Sequence, residues 1–279
     1  MMREAAIGIL VLAATAASAQ TQGNVERGKY LVDTVMTCHN CHTPRGPSGP
    51  LFDKALSGGM RFNEPPFDVT ASNITPDKET GIGSWSEADI KKLLLTGMRP
   101  NGVLVAQVMP TAFYKVLTPR DLNSIVAYLR SLPPVKNEVP APVYKIALPP
   151  TEVPDAGKPM SEADLRDKVK RGFYLATIAH CMECHTPMGP RGRDFSRTGM
   201  GGFEFKGPWG VSVSRNITSD KQKGLGGWSD DEIKRAITQG ISRDGSKLKP
   251  PMGYPFYAKM TGDDLDAIVA YLRTVPAKE

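Results

Sequence analysis

Apolar residues recur at helical spacing in two stretches of the chain, and a threonine precedes each stretch. The first set begins four residues after Thr118 and the second four residues after Thr261. The apolar positions are Leu122, Ile125, Val126 and Leu129, and again Leu265, Ile268, Val269 and Leu272. Because residues three and four apart share one face of an α-helix, each stretch predicts an amphipathic helix capped by its threonine.

Serine-led tetrapeptides predict further helices. SEAD at 86–89 and SDDE at 229–232 have the form of capping boxes, in which serine and an acidic side chain satisfy N–H groups at a helix start. Gly97 and Gly240 lie where these two helices should end as C-caps. A second SEAD, at 161–164, predicts one more helix later in the chain.

The chain is an internal repeat with a spacing of 143 positions. This shift superimposes NIT at 73–75 on 216–218, WS at 85–86 on 228–229, FY at 113–114 on 256–257, and IVAYLR at 125–130 on 268–273. Upstream the register slips by one, where Arg27-Gly28 meets Arg171-Gly172. The sequence is therefore two copies of one module.

No segment shows a persuasive strand pattern, so we expect an all-α fold. It would consist of two tandem helical domains at residues 20–135 and 160–279. The segment 136–159 between them is rich in proline and predicts an extended, semi-rigid linker. Hydrophobic residues make up 40% of the sequence, so each half can build a core.

The four cysteines form two copies of one motif, and each copy ends in a histidine. Cys38 and Cys41 precede His42, and CMECH at 181–185 repeats the pattern with Cys181, Cys184 and His185. Cys-x-x-Cys-His is the attachment signature of c-type haem. The thiols share one face of a helical turn and can add to the two vinyl groups of one haem, and the histidine becomes the proximal iron ligand. Each helical domain would thus wrap around one covalently bound haem c.

A zinc site is the simpler alternative. Each motif offers three ligands close together, whereas structural zinc usually has four, so both motifs would have to be pooled. A thioredoxin-like thiol pair would need a βαβ context, which is absent around either motif.

The repeat also selects the second axial ligand, because a ligand that serves both haems should occur in both copies. Of the twelve methionines, only Met109 and Met252 coincide under the 143-residue shift. Both lie in a proline-restrained loop before the last helix. His39 and His180 do not recur, and we expect them at the surface or at a haem edge. We predict axial ligation by His42 with Met109 and by His185 with Met252, which raises the reduction potential relative to two imidazoles.

The first residues predict export. Arg3 precedes a short apolar core, and Ala17-Ser18-Ala19 is a cleavage site, so 1–19 is interpreted as a signal peptide of a periplasmic protein. No later apolar run is long enough for a membrane span, although peripheral membrane association is compatible with the sequence. The formal net charge of +6 comes from scattered lysines and arginines. This pattern excludes a nucleic-acid partner and is compatible with a basic face that docks an acidic redox protein.

A family resemblance rests on the stretches NITPDKETGIGSWSEADIKKLLLTG, MP, FY and DLNSIVAYLRSLPPV together with the two haem motifs. The chain resembles dihaem c-type cytochromes, and each half is similar to a class I cytochrome c domain. It also resembles the cytochrome subunits of periplasmic and membrane-bound alcohol, aldehyde and gluconate dehydrogenases. This resemblance implies a dehydrogenase as electron donor and another cytochrome, a quinone or an oxidase as acceptor.

Two function classes follow from these observations. The first is an electron carrier, because six-coordinate iron leaves no open site for a substrate. The second is a haem enzyme, such as a dihaem peroxidase or a thiosulfate dehydrogenase. A peroxidase needs a releasable ligand, and a thiosulfate dehydrogenase typically has a cysteine ligand. The methionine pair and the absence of a spare cysteine favour the carrier.

Overall fold

The structure is a computed structural model that describes residues 23–47, 49–147, 151–190, 192–207 and 209–279. The predicted signal peptide lies outside the described residues. Helices account for 38% of the chain and strands for 12%, in several small sheets. The prediction of an all-α fold of two purely helical domains is therefore wrong.

The first half begins with two helical segments around the first motif. Helix α1 is Val25–Tyr30 and continues as a π-helical turn at Leu31–Val35, and α2 is His39–His42. Short strands and a 3-10 turn follow: β1 at Arg45–Gly46, β2 at Gly49–Pro50, a turn at Phe52–Lys54, β3 at Arg61–Glu64 and β4 at Phe67–Thr70. The half closes with α3 at Glu87–Thr96, a 3-10 segment at Thr111–Val116 and α4 at Pro119–Ser131.

The second half repeats this order after a two-residue strand, β5, at Val143–Tyr144. Its first elements are a 3-10 turn at Asp164–Arg166, α5 at Lys168–Ile178 and α6 at Cys181–Cys184. The strands and turn are β6 at Met188–Gly189, β7 at Gly192–Arg193, a turn at Phe195–Arg197, β8 at Glu204–Gly207 and β9 at Gly210–Val213. The last helices are α7 at Asp230–Gln239, α8 at Tyr254–Tyr257 and α9 at Gly262–Thr274.

All strand pairing is antiparallel, and the strands are too short to be recognised in the sequence. β1 pairs with β2, β6 with β7 and β8 with β9. β3 pairs with β4, and β5 adds a third strand through Phe67 opposite Tyr144. Runs of two to four residues cannot establish a period-two pattern. Because β5 lies within the predicted linker, this part of the linker is packed onto the first half rather than free.

The capping predictions for α3, α4, α7 and α9 are confirmed. Ser86 and Ser229 form complete capping boxes, and Gly97 and Gly240 end the two middle helices in the left-handed conformation. The hydroxyls of Thr118 and Thr261 accept the predicted backbone hydrogen bonds. The second SEAD behaves differently, because it forms only the short turn before α5. Asp167 caps α5 instead, by accepting a hydrogen bond from the backbone N–H of Lys170.

Each half is built on a close crossing of its first and last helices. A Cβ added to Gly28 would lie 1.9 Å from the carbonyl oxygen of Ser124, and one added to Gly172 would lie 1.9 Å from that of Ala267. Only glycine permits this approach. The buried side chains of the two halves join in one continuous core. None of the described helices is both long and apolar enough to cross a lipid bilayer. The domain boundaries given above stay a prediction.

Candidate functional site

Both cysteine motifs form a single helical turn, as their spacing predicts. The backbone N–H of His42 donates to the carbonyl of Cys38 at 2.9 Å, and that of His185 donates to Cys181 at 3.0 Å. None of the four cysteines forms a disulfide. Burial raises the pKa of Cys38 and of Cys181 to about 12, so these thiols are protonated. Each turn therefore presents two neutral thiols and one imidazole from adjacent positions.

The two histidines are oriented by the same contact in both halves. Nδ1 of His42 donates to the carbonyl of Ser72 at 2.7 Å, and Nδ1 of His185 donates to the carbonyl of Arg215 at 2.6 Å. Ser72 and Arg215 are themselves 143 residues apart. Burial lowers the pKa of both histidines, which favours neutral imidazoles. Since Nδ1 holds the proton, Nε2 carries the lone pair that a metal requires.

An arginine lies beside each of these carbonyl acceptors, but the two halves supply it differently. In the first half, Arg99 donates to the hydroxyl of Ser72 at 3.2 Å. In the second half, Arg215 occupies the position of Ser72 and donates at 3.4 Å to Ser242, which occupies the position of Arg99. The serine and arginine have thus exchanged places between the repeats. Sequence reasoning missed this pair, although the shift of 143 residues could have found it.

In each half, the buried Nε of one arginine lacks a hydrogen-bond partner among the described residues. Nε of Arg99 is buried and has no hydrogen-bond partner among the described residues, and the same is true of Nε of Arg235 in the second half. A buried guanidinium N–H without an acceptor is costly, so such groups indicate an anion that completes the site. Haem carries two carboxylates, and its propionates fit this requirement. The donor set of each half, two thiols, one oriented imidazole and an unsatisfied guanidinium, therefore fits a haem c.

Met109 and Met252 lie in corresponding loops, half-buried, and pack against the common core. The N–H of Met109 donates to Ala106 at 2.9 Å, which folds the loop into a turn before the 3-10 segment Thr111–Val116. Met252 lies two residues before the first residue of α8. Their assignment as axial ligands stays a prediction.

His39 does not lie at the surface, and its expected position at a haem edge stays a prediction. His39 is buried; its Nδ1 lies 2.8 Å from the hydroxyl of Thr43 and its Nε2 lies 3.0 Å from Asp33. Its ring also stacks on that of Phe256 from the second half at 6.1 Å. His180 is half-buried and forms an ion pair with Glu183 at 3.1 Å. Both histidines thus hold the attachment turns in place.

The two attachment turns face each other's methionine loops. Asn40, inside the first motif, donates to the carbonyl of Pro251, next to Met252, at 3.1 Å. On the opposite side, a cavity of about 390 Å³ is lined by Met109 and its loop and by Glu183 and Phe195 of the second half. This arrangement places the two candidate sites side by side across the interface.

The zinc alternative finds no support in the geometry of the cysteines. Among the described residues, His180, Glu183 and Cys184 alone form a group of three potential ligands within 4.8 Å of one another. The four thiols do not converge, and a three-ligand group from one motif falls short of a structural zinc site.

The recurring asparagines and tryptophans belong to the scaffold. Asn73 accepts from the N–H of Thr75 at 2.9 Å and donates to the carbonyl of Val135 at 2.7 Å, and Asn216 repeats both contacts with Thr218 and Lys278. Trp85 and Trp228 pack against the core. The asparagines therefore fix the segment after each last helix.

Known proteins with similar sequences decide the family. The sequence profile of the family described as Cytochrome c matches residues 169–276. Over 255 residues the chain is 32% identical to the Diheme cytochrome c-type protein of Cereibacter sphaeroides, which covers 87% of this chain and 83% of that protein.

The chain belongs to the cytochrome c family. Membership implies covalently bound haem c and a role in electron transfer. This confirms the family that the two Cys-x-x-Cys-His motifs predicted.

This cytochrome is also similar to subunits of larger enzymes. It is 31% identical to the fructose dehydrogenase cytochrome subunit of Gluconobacter japonicus over 91% of its own length, and 28% identical to the gluconate 2-dehydrogenase cytochrome c subunit of Pantoea cypripedii over 98%. The aligned regions cover 53% and 64% of those proteins, so the chain spans between half and two thirds of their length.

Proposed function

We propose that this cytochrome carries electrons through two haem c groups, one in each half of the chain. The observation that carries the proposal is the repeated orientation of the histidines: Nδ1 donates to a backbone carbonyl at 2.7 Å in one half and 2.6 Å in the other. This contact fixes the tautomer that an iron ligand requires, and it is made twice.

Each haem would be held by residues of its own half. Cys38 and Cys41 would form the thioether bonds of the first haem, with His42 and Met109 as axial ligands. Cys181, Cys184, His185 and Met252 would do the same for the second. Arg99 and Arg235, whose buried Nε atoms lack a partner among the described residues, would face the propionates. The bound haem supplies reversible one-electron chemistry at its iron, whereas the chain holds the ring, excludes water and sets the potential through ligands and nearby charge.

Electrons would leave and enter by outer-sphere transfer, since iron with two protein axial ligands has no position for a substrate. The side-by-side placement of the two sites suits a short relay. Two of the similar proteins are cytochrome subunits of dehydrogenases. A dehydrogenase is therefore the proposed electron donor, with a cytochrome, a quinone or an oxidase as acceptor, in the periplasm. The chain would be the electron-transfer component and not the catalytic subunit.

Haem content tests this proposal. The protein is produced in a bacterial host that matures c-type cytochromes, and its intact mass and iron content are measured. We expect two haem increments per chain, and proteolytic peptides that contain 38–42 and 181–185 should each carry one. The double substitution Cys38→Ser with Cys41→Ser should leave one haem, on the second peptide.

A chain of full length with one haem or none, in a host that loads a control dihaem cytochrome, would contradict the proposal. Peptide masses keep the test independent of stability, because a poorly folded variant still reveals which motif was modified.

A further inference from the structure

The two halves differ at the outer edge of their strand hairpins. In the first half, β5 covers the edge of β4 through the pairs Phe67–Tyr144 and Asp68–Val143. In the second half, β9 corresponds to β4, and no third strand pairs with it among the described residues. An uncovered sheet edge is a ready site for another chain.

The side chains of β9 also differ from those of its counterpart. Val211 and Val213 stand where the first half has Asp68 and Thr70, and they are 49% and 51% exposed. Two valines of one strand at this exposure form a small apolar patch on an otherwise polar surface.

Basic side chains lie beside this patch. Three exposed residues of the loop 241–249 are basic where the first half is uncharged: Arg243 replaces Pro100, Lys247 replaces Leu104 and Lys249 replaces Ala106. Nζ of Lys249 lies 3.5 Å from the carbonyl of Val211, which places the charge of the loop at the edge of β9.

The exposed Lys206 lies opposite Val211 in the strand register and adds a further positive charge. Acidic side chains of the same elements only partly offset these charges. Asp244 is engaged by Ser246 within the loop, and Glu204 lies opposite Val213. Glu232 lies 3.7 Å from Arg243. These elements carry four basic side chains, Lys206, Arg243, Lys247 and Lys249, against two acidic ones, Glu204 and Asp244, so the rim of the patch is net positive. We call β8, β9 and the loop 241–249 the β9 face.

The β9 face adjoins the second candidate haem site on two sides. The loop 241–249 ends three residues before Met252, and Arg215, whose carbonyl orients His185, lies two residues after β9. A protein docked on this face would come close to the second haem and not to the first.

We propose that the β9 face is the docking surface for an acidic redox protein. The lysines would steer an acidic partner, since charge complementarity raises association rates, and Val211 with Val213 would form the apolar contact. In each encounter one electron would pass between the partner's redox centre and the second haem, so that one would be oxidised as the other is reduced, with no bond formed or broken. The inference rests on the proposed electron-carrier function.

Stopped-flow reduction of the oxidised holoprotein tests the docking surface. The reductant is a reduced flavodoxin chosen for its acidic surface, and the ionic strength is varied. For the unaltered protein we expect the second-order rate to fall as salt rises. The double substitution Lys247→Gln with Lys249→Gln should lower the rate at low salt by about tenfold and flatten the salt dependence.

The matched control is Lys158→Gln with Lys259→Gln, which removes the same charge from exposed positions off the β9 face. If both pairs slow the reaction equally, net charge steers the partner and the assigned face is wrong. The same holds if Val211→Ser leaves the rate unchanged, or if the β9 face proves to bind a second copy of the chain or anionic vesicles instead. Haem content and reduction by dithionite are measured on every variant. If haem content and dithionite reduction are normal but the lysine substitutions do not change the rate of reduction by flavodoxin, only the docking surface is contradicted. If haem is missing, the proposed function is contradicted.

Discussion

The hydroxyl of Tyr30, in the first half of the chain, donates a 2.6 Å hydrogen bond to the carboxylate of Asp264 in the second. The contact is reciprocal, because Tyr174 donates to Asp121 of the first half at 2.7 Å. Each aspartate also pairs with an arginine of its own half: Asp121 with Arg27, and Asp264 with Arg171. The two halves thus meet like the subunits of a symmetric dimer, and this contact keeps the two candidate haem sites side by side.

Removing these hydroxyls should weaken the interface. Tyr30→Phe and Tyr174→Phe each delete a hydrogen bond to a charged, buried carboxylate, and we expect each to lower the free energy of unfolding by about 1 to 2 kcal/mol. Chemical denaturation of the holoprotein measures the loss. Tyr144→Phe is the control, because the Tyr144 hydroxyl is buried with no partner among the described residues and its removal should cost nothing. Equal losses in all three variants would contradict the assigned contacts.

The same contact predicts a loss of stability at alkaline pH. Burial, together with the hydrogen bond to Asp264, raises the pKa of Tyr30 from its ordinary value of 10.0 to about 12. A raised folded-state pKa contributes stability that is fully present below pH 10 and is lost as the pH rises through 12. Unfolding measured from pH 8 to 12 should therefore show a shallower decline in Tyr30→Phe than in the unaltered protein. Identical slopes would show that this hydroxyl ionises as it does in the unfolded chain.

The helix crossings should tolerate no side chain at their glycines. Gly28→Ala would drive a methyl group into the backbone of Ser124, and we expect a loss of about 3 kcal/mol or more. Gly262→Ala is the matched control: the added Cβ meets nothing within 4 Å, and restricting the unfolded chain should stabilise the protein by up to about 1 kcal/mol. Thermal unfolding of the two variants compares them directly. A Gly28 variant as stable as its control would mean that α1 and α4 do not cross this closely.

Arg99 should tune the potential of the first haem alone. The charge of Arg99 lies near His42, and removing a neighbouring cation favours the ferric form of the haem. Arg99→Leu should therefore lower the reduction potential of the first haem by tens of millivolts. For scale, 59 mV corresponds to a tenfold change in a one-electron equilibrium. A spectroelectrochemical titration resolves the two haems. Arg61→Leu removes an exposed arginine of the same half, which is paired with Asp68, and should leave both potentials nearly unchanged. If Arg99→Leu instead shifted the reduction potential of the second haem, Arg99 would not belong to the first haem site.

Much of the candidate site could be predicted from sequence, because covalent chemistry fixes its spacing. Two thiols and a histidine must occupy one helical turn, and that turn is present at 38–42 and at 181–185. The helix ends were also predictable, since a capping box such as that of Ser86 is a local contact.

What could not be predicted depends on contacts distant in the chain. The strands run for only two to four residues, and β5 exists because residues 143 and 144 reach back to β4. His39 is buried, and the ring of Phe256 from the other half stacks on it. No local pattern reports such contacts.

Axial ligation of the two irons tests the central claim most directly. Electron paramagnetic resonance and near-infrared magnetic circular dichroism of the oxidised holoprotein identify the spin state and the ligand pair of each haem. We predict two low-spin centres, each with one histidine and one methionine ligand, and the loss of one such signal in Met109→Ala and of the other in Met252→Ala. A high-spin haem in the unaltered protein, or an iron that binds added cyanide as readily as the alanine variants do, would contradict the account.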